Sequence, residues 1–147
     1  MGYSDDAANA VLLIRRRTME IGYTLPTTKS YSEALDAVQA SAAAHGFRVQ
    51  FVHDVAATLA EKGFDREPLA IVEMCNSKHA AAVLAADINI ALMLPCPITV
   101  YEKSGEVFIS TMRPSLIGTF FPEAGIDEVA AEVEGVLFAV VEEAAAA

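Results

Sequence analysis

Positive charge is scarce in this chain: 10 lysines and arginines face 20 aspartates and glutamates, giving a net charge of −10. A protein of that sign repels a phosphate backbone, and Arg15-Arg16-Arg17 is its single basic cluster, so the balance argues against nucleic-acid binding. Long apolar runs are missing too. The longest fall short of the ~18–20 residues that a membrane-spanning helix needs. Val11–Ile14 is too short for a secretory signal, with Asp5 and Asp6 ahead of it and its arginines behind. The expectation is a cytoplasmic protein with no membrane partner. Cysteine is limited to Cys75 and Cys96, without Cys-x-x-Cys spacing. That pattern argues against a structural zinc centre, and in a reducing compartment it favours free or redox-active thiols. Neither a glycine-rich phosphate loop nor a Ser-His-Asp order is found.

Apolar residues, by contrast, make up 54% of the 147 positions, much of it alanine, which is enough for the core of one domain. Residues 1–18 read as an N-terminal extension, helical or an arm, and residues 19–147 as a single domain. Met19–Leu25 reads as a first strand, ended by Pro26. Ser30 and Glu33 form a capping box ahead of a helical stripe of Ala34, Leu35, Val38 and Ala42, and Gly46 supplies the stop. The alternation of Phe47, Val49 and Phe51 predicts a half-buried strand. Asp54 caps a short helix over Val55–Lys62, and a loop through Pro68 leads to a strand, Leu69–Cys75.

A helix follows over Ser77–Ala86, then an apolar segment, Ile88–Tyr101, that contains a strand. The turn Glu102–Gly105 returns it into Glu106–Met112 as a hairpin. Beyond a loop holding Pro114 and Pro122, a stripe of Val129, Val133, Val136, Leu137 and Val140 marks a long amphipathic closing helix. The hairpin rules out an all-parallel sheet. The pattern predicts a two-layer α+β domain, a mixed and mainly antiparallel sheet backed by helices.

Cys75 is the leading candidate for chemistry, because it stands where a strand gives way to a helix N-terminus, a setting that favours thiolate. Asn76 or Ser77 can cap that helix, and His79, one turn on, can act as acid or base or pair with a thiolate. Strand alternation puts Glu73 on the thiol's face, where its charge opposes ionisation. Cys96, between Pro95 and Pro97, either joins Cys75 in a two-thiol site or faces the core with Leu92, Leu94, Ile98 and Val100. Arg113, just beyond the hairpin, is a candidate anion holder. His53-Asp54 could form a dyad, but Asp54 is already assigned as a cap, and His45 suits a helix C-terminus.

Several of these segments occur in an order that resembles a known family. They are Ser32-Glu-Ala-Leu35, Gly46-Phe47, Asp54 through Lys62, Cys75-Asn76, and Leu94-Pro95-Cys96 with Val100-Tyr101-Glu102. Over roughly Met19–Glu143 the chain resembles the domain of unknown function family 302. The resemblance implies a compact α+β fold, usually a homodimer, and no established reaction. Ser77 stands where family members typically carry proline, and Pro97 where they often carry asparagine.

Two functional classes follow. One is a thiol-based redox or sulfur-accessory protein acting through Cys75, with His79 beside it and Asn76, Cys96 and Arg113 as ligand-binding candidates. The other is a non-catalytic module that binds a small ligand or a partner, with structural cysteines; haem held by His79 or a cysteine is a variant. No cofactor is specified by the sequence, and no metal is expected.

Overall fold

The computed structural model describes residues 20–147; the N-terminal extension and Met19 lie outside them. Along the chain run β1 (Gly22–Thr27), α1 (Tyr31–Ala44), β2 (Arg48–Asp54), α2 (Val55–Ala60), β3 (Leu69–Cys75) and α3 (Ser77–Ala86). A 3-10 turn, Ile88–Met93, then leads to β4 (Cys96–Lys103), β5 (Glu106–Met112), α4 (Ser115–Phe120), a second 3-10 turn and α5 (Asp127–Ala145).

The five strands form one sheet in the order β1-β5-β4-β3-β2. Every pairing among the described residues is antiparallel, so the expected mixture resolves there to one kind. Helices back it on one side, as the α+β reading requires. Along β3, Ala70, Val72 and Met74 are buried while Leu69, Ile71, Glu73 and Cys75 are half-buried, the period-two signature of a one-sided sheet. Val72, Met74, Ile98, Val100 and Ile109 meet Val38 and Ala42 of α1 and Leu137, Val140 and Val141 of α5 in the main core. A second cluster, built on Val83, Ile90, Ile117 and Ile126, closes one end.

Local chemistry explains the element ends. Glu33 N–H donates to Ser30 Oγ (3.2 Å) and Ser30 N–H to Glu33 Oε2 (2.9 Å), a complete capping box. Gly46, at φ 78°, takes the left-handed position after α1. Asp54 Oδ1 accepts from Ala57 N–H at 2.9 Å and starts α2.

Three expectations are corrected. Pro26 does not end β1: it lies within the strand opposite Phe108, tolerated because β1 is a sheet edge. A register shift between Val49 and Phe51 breaks the alternation in β2, so Val52 packs on the core while Phe51 stays 57% exposed. Leu92 does not share the face of Cys96. It lies in the 3-10 turn started by Asp87, whose Oδ1 accepts from Asn89 N–H, and it is 86% exposed.

Candidate functional site

Asn76 is the hinge on which the site is built. Its Oδ1 accepts from His79 N–H (3.2 Å), capping α3, and its Nδ2 donates to the carbonyl of Gly46 (3.3 Å). One side chain thus starts the helix after β3 and ties it to the turn between α1 and β2. Of the two caps the sequence offered, Asn76 is used rather than Ser77.

Cys75 stands at the last position of β3, where the chain leaves the sheet for α3 and reaches the wall of a cavity. Cys96 reaches the same wall from β4. Its backbone pairs with Met74, which sets the two cysteines on neighbouring strands. Both are free and partly buried. His79 lines the cavity as well, beside the Phe47 ring. The remaining wall is apolar: Ala80 and Val83 of α3, Leu94, Pro114, Ile117, Ile126, and Val129, Ala130 and Val133 of α5. The cavity lies at the seam of the two hydrophobic clusters, where neither fills the space completely. It offers about 40 Å³ to the centre of a water-sized sphere, room for roughly two or three waters.

The electrostatics of the site are sparse. Burial, and secondarily the nearby Cys75, push the Cys96 thiol up to about 11, so Cys96 is held protonated at neutral pH. Glu132 Oε1 of α5 lies 3.4 Å from His79 Nε2. The acid therefore approaches the Nε2 side of the ring. Nδ1 is buried and has no hydrogen-bond partner. Glu73, on the open face of the sheet, pairs with Phe51 and Pro97 rather than with a cation.

The structure therefore brings Cys75, Asn76, His79 and Cys96 to one place. Arg113 stands apart from the cavity wall, although its neighbour Pro114 is in it. Its guanidinium lies 5.1 Å from the Phe138 ring centroid and 3.4 Å from Glu20 Oε2. His53 meets Thr58 Oγ1 (3.2 Å) while Asp54 caps α2, and His45 pairs with Glu143 at 2.9 Å. Glu132 escaped sequence reasoning. It belongs to a different helix from His79, and one acid among several beside the Val129–Val133 stripe carries no local signal. Among the described residues, no three histidines, cysteines or carboxylates are grouped as a metal site, and no helix is long and apolar enough to cross a membrane.

Fold and wall together define a small two-layer α+β domain with a thiol-bearing apolar cavity. A family model described as "Domain of unknown function DUF302" matches residues 23–144, and the chain belongs to the DUF302 family. It is similar to an uncharacterised conserved DUF302 protein from Bacillus stearothermophilus, known from a crystal structure. The identity is 28%, the match covers 86% of this chain and 99% of that one, and the TM-score is 0.81. No protein with a curated description matches.

Proposed function

We propose that the domain is a small thiol-based accessory protein of redox or sulfur metabolism, with Cys75 as its working thiol. The observation that carries this reading is the convergence of two free cysteines and a histidine with an unpartnered buried nitrogen on one apolar wall. Unsatisfied buried nitrogens are uncommon, and one on the same cavity wall as a thiol is suited to taking its proton. A cytoplasmic setting fits, since both thiols persist there in reduced form.

Alkylation near neutral pH, followed by peptide mass mapping, tests the assignment. Cys75 is expected to label at least about tenfold faster than Cys96, because the protonated, largely buried Cys96 supplies little thiolate. Cys75→Ser should keep the fold and lose the fast labelling. Equal and slow labelling of both thiols would overturn the proposal and favour a ligand-binding module with structural cysteines. A haem ring would need the cavity to open well beyond its present few-water size.

The uncovered face of the sheet supports a partner, a second copy of this chain. Leu69, Tyr101 and Phe108 form a half-buried apolar row there, with Tyr101 stacked on Phe108 at 5.4 Å, and Ile71, Thr99 and Ser110 form the next. Pro97, Thr99, Ser110 and Met112 border a shallow depression. On a chain of net charge −10, Glu73 is the one acid among these central rows, which lowers the repulsion between two copies. Paired sheet faces would give a symmetric dimer. Light scattering at micromolar concentration should return twice the chain mass, and Thr99→Lys at the centre of the face should return one. A monomeric wild type overturns this partner.

A further inference from the structure

We propose that the cavity seats a single sulfane sulfur on Cys75, taken from inorganic polysulfide, with His79 Nδ1 as its proton partner. This rests on the reading of Cys75 as the working thiol and adds what the thiol carries.

The wall is sparing in polar groups. Among the described residues, His79 Nδ1 is the one buried side-chain nitrogen or oxygen on it without a partner. An oxidised thiol bearing a hydroxyl could give its proton to Nδ1, but its oxygen would find no donor on the apolar wall, and an unsatisfied buried oxygen costs several kcal/mol on the steepest scales. A sulfur atom is soft and packs like a small hydrophobe, so the same wall accepts it. Space for roughly two or three waters admits inorganic hydrodisulfide whole, whereas the bulk of an organic persulfide would have to stay outside the wall. Size thus favours the inorganic donor.

Cys96 shares the wall yet keeps its proton, so no second thiolate competes to displace the added sulfur. His79 Nδ1, without a partner on the same wall, is the base assigned to take the Cys75 proton as the bond forms. Cys75 Sγ attacks one sulfur of hydrodisulfide, and the S–S bond of the donor breaks. Hydrosulfide departs with the electron pair, and the proton is then shared between the new terminal sulfur and Nδ1. The balance is Cys75–SH plus HSS⁻ giving Cys75–SSH plus HS⁻, with no outside oxidant or reductant.

The experiment exposes the full-length protein to sodium disulfide, removes the excess and maps peptide masses. One added sulfur is expected on Cys75 and none on Cys96. Cyanide should strip that sulfur about tenfold more slowly from the folded protein than after unfolding in urea. His79→Leu should remove most of that protection, since about tenfold is the worth of one hydrogen bond. If His79→Leu does not fold, the comparison of folded and urea-unfolded wild type decides alone. Fast alkylation of Cys75 without a retained sulfur would overturn the sulfur inference and leave the working thiol standing. Slow alkylation would remove the working thiol itself. A Cys75–Cys96 disulfide, or sulfur lost equally fast from folded and unfolded protein, would also overturn it.

Discussion

Leu137→Ala is expected to lower the unfolding free energy by about 3–4 kcal/mol, the range for a buried leucine whose site collapses only in part. Leu137 is 1% exposed and stands midway along α5, in the same cluster as Val38 of α1 and Met74, Ile98 and Ile109 of the sheet. Removing its outer carbons opens a void between the layers, where neither the sheet nor α1 can move in without disturbing its own packing. A small domain holds roughly 5–15 kcal/mol in total, so this single change consumes a large share of it. Urea unfolding should show a lower midpoint at an unchanged slope. A loss under about 1 kcal/mol would mean that α5 does not fasten the two layers. The consequence reaches the site, because α5 also supplies Val129, Ala130 and Val133 to the cavity wall and Glu132 to His79.

Much of this architecture is written in local signals. The Ser30–Glu33 box, Gly46, the Asp54 cap and the closing stripe each follow from residue types at fixed offsets, and each stands where those offsets put it. Cys75 and His79 were legible as neighbours because four residues on a strand-to-helix turn keep them close. Their association with Cys96 was not. It depends on the register that sets Met74 opposite Cys96, and register is a tertiary property that one strand's sequence does not carry. Phe51 failed for a related reason: the bulge that turns it outward is a property of the β2–β3 pair, while alternation was read on β2 alone. Leu92 shows the opposite error. A period-two reading was extended into a segment that Asp87 starts as a 3-10 turn, where the period is three. Glu132 had no signal at all, since an acid on the polar side of an amphipathic helix is the ordinary occupant.

The second large effect is on alkaline stability, and Cys96 carries it. In the folded protein burial lifts its thiol from the ordinary 9.0 to about 11, with Cys75 adding to the shift. Between these two values the unfolded chain releases the proton and the folded chain keeps it. The folded state then binds more protons, so stability falls as pH rises. The contribution is whole below about pH 9, declines through the interval and is gone above about 11, a difference of about 3 kcal/mol. Cys96→Ala has no thiol to ionise. It should start less stable at pH 7, because a packed side chain is shortened, yet lose less on the way to pH 11. Tyr23, raised first by its hydrogen bond to Glu142, and Tyr31, raised first by burial, also titrate at high pH. They are present in both proteins and cancel when the two stability curves are subtracted. Urea midpoints measured from pH 7 to 11 should therefore converge, wild type falling toward the variant. Parallel curves would show that the Cys96 thiol ionises as easily inside the fold as outside it. In that case Cys96 would no longer be the silent wall that a carried sulfur on Cys75 requires.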